Sequence, residues 1–496
     1  MEAEQTIKSW RGAGGEGRGI ALHMSQVARH SAGVALRWRA YLTVLAVACL
    51  PLGLLWDISW HVSIGRDTFW APAHLVIQFG GVIPALLFAW QSAHITFRGT
   101  LEERAATVRF WGARAPFGAW VTMWGALAML TSAPFDDWWH NTYGLDVKIV
   151  SPPHALLGLG MFAVALGVLL SVLSWQNRAG RSEQPAAAWL FTLACGLIVT
   201  MLSVYATEFT WPNRQHTSNY YQVLSCLYPF LFAMAARASK LRWAATLAAV
   251  TYMGLVMVVI WLLPLFPAQP KLAPIYNPVD HMVPPPFPML MAVPALAIDL
   301  LLRSGRPDAR QDEGKKSRRL RSLLPLPIGW GEGWGEGKSH ATIHEVQSAD
   351  RHEDPSPCRS PRCTERGDSR RSAVNPTVSS VCGSRRKELI SCGYTFGSWP
   401  KDWFLALVVG LTFLVLALAV QWFFAKFLLS PAADNWFFAG NRHWPYYVQP
   451  GEWMHRFWGM DTGAVTYKGL AIAAALAVLS ARLGLACGNW MLKVKR

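Results

Sequence analysis

Residues 57–74 read D-I-S-W-H-V-S-I-G-R-D-T-F-W-A-P-A-H, and residues 136–154 read D-D-W-W-H-N-T-Y-G-L-D-V-K-I-V-S-P-P-H. Both windows contain an Asp, a Trp-His pair, a Gly, a second Asp and a Pro-x-His, and the second copy has one extra residue. Each window joins the end of one long apolar stretch to the start of the next. The repeat therefore predicts two similar helix–turn–helix corners, which we call the first corner (57–74) and the second corner (136–154).

The composition around these corners is that of a membrane protein. Of the 496 residues, 52% are hydrophobic, only 15% are charged and 26 are Trp. Soluble domains carry about 25% charged residues, so an ordinary soluble enzyme, a disordered protein and a coiled coil are excluded. We predict an all-α, polytopic membrane bundle in a lipid bilayer. The net charge of +16 is interpreted as loop charge that sets topology, with no nucleic-acid partner.

About ten stretches are long enough, or nearly so, to cross a bilayer at ~20 residues each. They are residues 40–56, 71–97, 116–132, 152–174, 187–206, 220–237, 244–266, 285–302, 402–428 and 465–489. Basic residues occur at alternate ends of these stretches. By the positive-inside rule, we predict that both termini are cytoplasmic, that the protein lies in the inner membrane and that the corners face the periplasm. Eight of the 14 His fall on that outer side: His61, His74, His140, His154, His216, His281, His443 and His455.

Residues 304–400 differ from the rest of the chain. They contain a tandem W-G-E-G run, scattered Ser and Pro, and little apolar periodicity. Such a composition buries too little surface to offset its ordering entropy, so we predict a disordered cytoplasmic insert; a Cys-bearing regulatory domain is the alternative. The other predicted divisions are a polar cytoplasmic tail (1–39), a membrane domain with both corners (40–185), membrane helices (186–303) and C-terminal membrane helices (401–496).

The first corner has the side chains of a metal site. Asp57 and His61 are four residues apart, on one face of a helix. His74 follows a turn containing Gly, and a Pro suited to the first turn of the next helix precedes it. A corner of this length can bring the three side chains together, and a carboxylate with two imidazoles suits copper, zinc or iron.

The second corner offers the same set, with Asp136 or Asp137, His140 and His154. The second Asp of each corner, Asp67 or Asp146, is suited to accept a hydrogen bond from a ligating imidazole. The alternative for any single His or Asp within the membrane is a structural hydrogen bond. His216, His281, His443 and His455 lack a comparable local set, so this alternative is favoured for them.

The first corner resembles the C subunit of the copper membrane monooxygenases, the family of particulate methane and ammonia monooxygenases. The resemblance covers residues 40–180 and implies that Asp57, His61 and His74 bind copper and are catalytic. In the second corner, His140 and His154 match His positions of the family, whereas Asp136 replaces an Asn and adds a negative charge. Segments 277–302 and 450–456 look somewhat like parts of the family's A subunit, so residues 186–303 and 401–496 would form an A-like half.

The resemblance implies a copper-dependent monooxygenase component that oxidises a small apolar substrate or ammonia with O₂. It also implies a partner subunit that carries a cupredoxin domain, and a homo-oligomer. Three other interpretations stay open: a non-catalytic metal-binding membrane protein, a transporter of protons or metal ions, and a family member that has lost its activity.

Overall fold

Helices form nearly all of the regular structure in the residues that this computed structural model describes, which are 16–65, 68–144, 151–210, 214–269, 279–304, 399–438 and 464–495. These residues belong to one unit of the chain. The helices are α1 (Glu16–Ser63), α2 (Pro72–Arg98), α3 (Leu101–Ala105), α4 (Phe117–Tyr143), α5 (Pro152–Arg178), α6 (Gln184–Tyr205), α7 (Thr207–Thr210), α8 (Ser218–Ala238), α9 (Ala244–Leu262), α10 (Ala292–Ser304), α11 (Trp399–Leu428) and α12 (Tyr467–Met491). Short 3₁₀ turns follow α9 and α11. One small antiparallel hairpin, β1 (Val108–Phe110) and β2 (Ala113–Ala115), lies between α3 and α4.

Within the described part of the chain, seven helical segments are long and apolar enough to cross a membrane. They are Arg37–Ser63, Pro72–Arg98, Pro152–Arg178, Gln184–Tyr205, Ala244–Leu265, Lys401–Leu428 and Tyr467–Met491. Helices α4 and α8, with 27 and 21 residues, have the length of a span but are less apolar. The prediction of an all-α, multi-pass protein in a lipid bilayer is confirmed at this level.

Two helices extend well beyond their predicted apolar stretches. Helix α1 begins at Glu16, so residues 16–39 of the predicted polar tail continue into the first span without a break, and it ends only at Ser63. Helix α4 likewise ends at Tyr143. Because the helical hydrogen bonds continue past the apolar residues, the Asp and the first His of each corner lie inside a helix. The predicted insert at 304–400 lies outside the described residues except at its two ends.

Hydrogen bonds and an ion pair join helix ends at one side of the bundle, which we call the basic end. The contacts are Arg37 to Glu183 (2.6 Å), Asn177 to the Met491 carbonyl (2.9 Å) and Gln176 to the Ala238 carbonyl (3.0 Å). The starts of the first span and of α6 therefore lie beside the ends of α5, α8 and α12. The two corners lie at the opposite side, the corner end. This arrangement agrees with the alternation of basic loops in the sequence.

The predicted span at 285–302 is wrong at its start, because α10 begins only at Ala292. Four prolines between 284 and 288 prevent a helix there. Val283 donates its backbone N–H to Ser63 Oγ at the corner end (2.8 Å), whereas Asp299 accepts from the backbone N–H of Thr246 at the basic end (2.8 Å). Residues 279–304 therefore cross the bundle as a non-helical stretch followed by a short helix. The prolines of the non-helical stretch have no backbone N–H that needs an acceptor. The N–H of Met289, which follows the last of them, donates to the Tyr252 hydroxyl (3.1 Å).

Glycines set the distance between the paired helices that carry the corners. A Cβ on Gly160 of α5 would lie 2.8 Å from the carbonyl oxygen of Gly125 in α4. A Cβ on Gly53 of α1 would lie 2.7 Å from Ile77 Cγ1 in α2. Small residues let helix backbones approach closely in a membrane, where van der Waals packing drives association. The close approach brings the two sides of each corner together.

Replacing Gly160 with Leu is expected to lower the thermal unfolding temperature of the detergent-solubilised protein. The larger side chain would overpack the α4–α5 contact, at a cost of about 1–3 kcal/mol. Gly254→Leu is the matched control, since a Cβ at Gly254 in α9 would meet nothing within 4 Å. Equal unfolding temperatures for the two variants would contradict the role of Gly160.

Candidate metal centre

The first corner brings Asp57, His61 and His74 together. Asp57 and His61 are one turn apart near the end of α1, and His74 is the third residue of α2. Asp57 Oδ1 lies 3.2 Å from His74 Nε2, and Asp57 Oδ2 lies 3.8 Å from His61 Nε2. One ligand atom from each residue lies within 4.8 Å of the other two. The predicted convergence of one carboxylate and two imidazoles is therefore present.

Burial differs among the three side chains of the first corner. Asp57 is the least accessible, with 16% of its side chain exposed, compared with 26% for His74 and 50% for His61. His61 is therefore the member of the corner that is most accessible from outside the bundle.

The second corner repeats this arrangement with Asp136, His140 and His154. Asp136 Oδ1 lies 3.4 Å from His140 Nε2 at the end of α4 and 3.5 Å from His154 Nε2 at the start of α5. These atoms also lie within 4.8 Å of one another. Of the two Asp residues that the sequence left open, the structure selects Asp136. Asp137 is exposed, and its carboxylate accepts a hydrogen bond from the Asn141 amide (3.3 Å).

A glycine with a left-handed backbone ends the helix at each corner. Gly65 has a φ of 103° and Gly144 a φ of 85°, values that residues with a Cβ rarely adopt. The N–H of Gly65 donates to the Trp60 carbonyl, and the N–H of Gly144 donates to the His140 carbonyl. The equivalent glycines of the sequence repeat therefore perform the same task, which is to turn the chain out of the helix one turn after the first His.

A backbone contact fixes the orientation of the His140 ring. His140 Nδ1 lies 3.2 Å from the carbonyl oxygen of Gly144. A carbonyl oxygen only accepts, so Nδ1 must carry the proton, and in the neutral ring Nε2 presents its lone pair. That lone pair faces Asp136 Oδ1 at 3.4 Å. In the protonated ring this contact is an ion pair, and in the neutral ring it calls for a cation between the two atoms. A metal-binding His commonly has such a carbonyl partner on its other nitrogen.

The spacing of the donor atoms in both corners suits a bound metal ion. Asp57 Oδ1 and Asp136 Oδ1 are buried, and neither accepts a hydrogen bond from any residue in the described part of the chain. Two ligands at ~2.0–2.1 Å from a tetrahedral ion lie roughly 3.3 Å apart, close to the observed separations of 3.2, 3.4 and 3.5 Å. The separation of 3.8 Å at His61 needs a small rotation of that exposed ring. The donor set itself suits copper, zinc or iron alike.

Two further histidines from the predicted outer side have structural contacts. His216 donates from Nε2 to the Trp422 carbonyl (3.0 Å), and its ring packs edge-on against the indole of Trp422. His281 Nδ1 lies 2.6 Å from the Asp280 carboxylate. Neither belongs to a metal-type cluster among the described residues, as the sequence indicated. Asp67 and Asp146, which were predicted to accept a hydrogen bond from a ligating imidazole, lie outside the described residues, as do His443 and His455.

The structure adds polar groups near the first corner that the sequence analysis did not identify. Gln78 is one helical turn beyond His74, and its Oε1 is buried without a hydrogen-bond donor among the described residues; the Trp60 Nε1 also lacks a partner there. The four-residue spacing between His74 and Gln78 was the available signal. At the equivalent position the second corner has Gly158, where a Cβ would lie 3.0 Å from the Tyr205 hydroxyl.

Comparisons of the chain with protein families, with curated proteins and with solved structures found no match.

Replacing His74 with Ala is expected to weaken metal binding. Loss of a residue that only hydrogen-bonds to a metal ligand costs roughly 10–100-fold in affinity, and loss of a ligand itself is expected to cost at least as much. His94→Ala is the matched control, because His94 is an exposed residue of the same helix and belongs to neither corner. Metal analysis of the purified protein, combined with electron paramagnetic resonance, measures both the amount and the identity of the ion. Equal metal content in the wild type and in His74→Ala would contradict the assignment.

Asp136→Ala is expected to lower metal binding at the second corner, because both imidazoles of that corner face this carboxylate. The neighbouring Asp137→Ala serves as its control, since it removes the same charge from an exposed position on the same helix. Metal titration of the two variants followed by calorimetry measures the difference. If both variants lose metal affinity equally, net charge rather than ligation explains binding at this corner.

Proposed function

We propose that this protein is a membrane-bound, copper-dependent monooxygenase component that oxidises a small apolar substrate or ammonia with O₂. The observation that carries the proposal is the duplicated corner, in which a partly buried carboxylate faces two imidazole nitrogens at the end of a membrane helix pair. Copper is chosen among the ions that fit because the first corner resembles the copper membrane monooxygenases.

In this proposal Asp57, His61 and His74 hold the catalytic copper. Three protein ligands leave at least one coordination position of the metal open to an exogenous molecule. Catalytic metal sites need such an open position, whereas in structural sites protein ligands fill all positions. When bound, copper supplies the redox chemistry with O₂, for which amino-acid side chains alone are unsuited. The carboxylate of Asp57 offsets part of the positive charge, and the imidazole of His61 lies on the side open to incoming molecules.

The second corner holds a second metal ion or relays protons. Its carboxylate and both imidazoles lie within one another's reach, and the Gly144 carbonyl keeps the His140 Nε2 lone pair directed at Asp136. Aromatic rings also lie along the end of α4 that carries this corner: Phe135 stacks on Trp138 at 5.9 Å, and Trp139 contacts Tyr143 at 4.6 Å between ring centroids.

The proposed arrangement in the membrane has ten crossings, with both termini and the 304–400 insert in the cytoplasm of the inner membrane. It adds α4, α8 and the segment containing α10 to the seven apolar spans. Helix α10 alone has 13 residues, or ~20 Å at 1.5 Å per residue, and residues 279–291 supply the rest of the crossing. The contacts of Arg37 with Glu183 and of Asn177 with Met491 support termini on one side.

The corners then lie towards the periplasmic face, where a small apolar substrate arrives through the bilayer and O₂ from either phase. We further propose a cupredoxin-bearing partner subunit and a homo-oligomer, both suggested by the same resemblance.

A transporter of metal ions or protons is the competing function, and it requires polar groups that continue towards the basic end. Asp57 lies six residues before the end of α1, or ~9 Å at the rise of an α-helix, so the corner geometry favours a site near the surface.

Substrate-dependent O₂ consumption by membranes that contain the protein tests the proposal. His61→Ala and His74→Ala are expected to lower the rate to background, because each removes one of three ligands. His94→Ala is expected to retain the wild-type rate, since its side chain is exposed and lies outside both corners.

Product analysis with ammonia and with short hydrocarbons identifies the substrate class. The same variants in proteoliposomes measure uptake of metal ions or protons. Unchanged O₂ consumption in both corner variants, or ion uptake that depends on the same histidines without O₂ consumption, would contradict the oxygenase function.

A further inference from the structure

The hairpin between α3 and α4 places two arginines opposite each other. β1 and β2 pair in antiparallel register, with Arg109 directly across from Arg114. Trp111 and Gly112 form the turn, both with positive φ (46° and 84°), and the Trp111 ring is 84% exposed. Like charges directly across a strand pair destabilise it. In the described part of the chain neither arginine forms an ion pair, so this hairpin presents uncompensated positive charge.

The other charged groups around the hairpin do not neutralise it. Arg114 donates from its guanidinium to the Arg104 carbonyl (3.2 Å), and Arg104 in turn donates to the Thr96 carbonyl at the end of α2 (3.0 Å). Glu103 is engaged at the start of α3, where it accepts from the Thr100 N–H (2.8 Å). Residues 98–115 contain four Arg and two Glu. Residues 98–115 therefore carry a local excess of positive charge, to which Arg109 and Arg114 of the hairpin contribute.

An apolar groove begins directly beneath this hairpin. It has a volume of about 520 Å³ and is lined by residues of β1, α4 and α5, among them Phe117, Trp120, Trp124, Ala128, Leu159 and Ala163. None of these side chains is charged, and the indole N–H of Trp120 already donates to the Val108 carbonyl (3.2 Å). The volume is in the range of ~300–1,000 Å³ typical of sites for small molecules.

The groove has the length of one half of a bilayer. From Phe117 to Ala128 it follows α4 for 12 residues, which span ~17 Å at the helical rise, and half of the hydrocarbon core is ~15 Å. Its outer wall includes Trp124, 43% exposed, and Leu159, 69% exposed, so it opens sideways from the bundle towards lipid. Aromatic rings near a basic loop are typical of the level where headgroups meet hydrocarbon.

We propose that this groove and hairpin form a binding site for one anionic phospholipid. An acyl chain occupies the apolar groove, and the anionic headgroup lies against Arg109 and Arg114. The guanidinium groups bind the phosphate through charge-assisted hydrogen bonds, which removes the repulsion between the two arginines. The bound lipid covers the α4–α5 contact at Gly125 and Gly160, on the helix pair that ends in the second corner.

Native mass spectrometry of the detergent-solubilised full chain tests this site by titration with defined lipids. Dioleoyl phosphatidylglycerol is expected to bind about tenfold more tightly than dioleoyl phosphatidylcholine, because only the former carries net negative charge. Dihexanoyl phosphatidylglycerol and inorganic phosphate are expected to bind at least tenfold more weakly still, since neither fills the groove.

Variants separate the headgroup from the acyl chain. Arg109→Gln is expected to remove the preference for the anionic lipid, whereas Arg181→Gln, an exposed arginine in the loop between α5 and α6, is expected to preserve it. Ala128→Phe fills the groove and is expected to weaken both long-chain lipids. Ala163→Leu does the same from α5, in case the first variant does not fold.

Several results would overturn the proposal. Equal affinity for the two long-chain lipids would show that charge is not recognised, and equal affinity for phosphate or the short-chain lipid would show that the groove is not used. Unchanged lipid binding by folded Ala128→Phe or Ala163→Leu would exclude the groove. Displacement of the long-chain lipid by a short hydrocarbon without any headgroup effect would indicate that the groove holds a small apolar molecule instead.

Discussion

A carboxylate within reach of two imidazole nitrogens is the interaction on which the organisation of both corners depends. Charged groups near the membrane are costly unless they are paired, and the buried oxygens of Asp57 and Asp136 accept no hydrogen bond among the described residues. Each corner also requires a sharp helix end, which Gly65 and Gly144 supply through their backbone conformation. Close helix packing at glycine positions then fixes the distance across the corner. The metal-type geometry is thus the result of a turn, a packing contact and a charge requirement together.

The two corners are similar but not equivalent. In the second corner both imidazoles approach one oxygen of Asp136 at nearly equal distances, whereas in the first they approach different oxygens of Asp57. The Gly144 carbonyl orients His140, while His61 is half exposed. The position of Gln78 near the first corner is occupied by Gly158 in the second, so the second corner has no polar side chain there. An exposed His61 in the first corner and an oriented His140 in the second agree with different tasks for the two sites.

Much of the site could be predicted from the sequence because its determinants are local. Asp57 and His61 need only helical spacing, and His74 needs only a short turn, so residue type and separation were sufficient. The choice between Asp136 and Asp137 required the direction of each side chain around the helix. The ion itself cannot be derived from one carboxylate and two imidazoles, because copper, zinc and iron accept the same donors.

The fold was harder to predict where hydropathy and backbone chemistry disagree. Residues 285–302 have the hydropathy of a span, yet consecutive prolines delay the helix to Ala292. The hairpin at 108–115 lies in a basic loop, where two three-residue strands leave almost no periodic signal. The extension of α1 and α4 into polar sequence depends on hydrogen bonds that continue after the apolar pattern has ended. In each case the backbone, rather than side-chain polarity, decided the boundary.

The bond from the Val283 N–H to Ser63 Oγ joins residues 220 positions apart. Val62, next to His61, also packs on Val279 and Val283. During synthesis the first corner therefore leaves the ribosome long before the segment that contacts its Ser63. A chain truncated before residue 279 would contain all three side chains of the corner but would lack this long-range hydrogen bond.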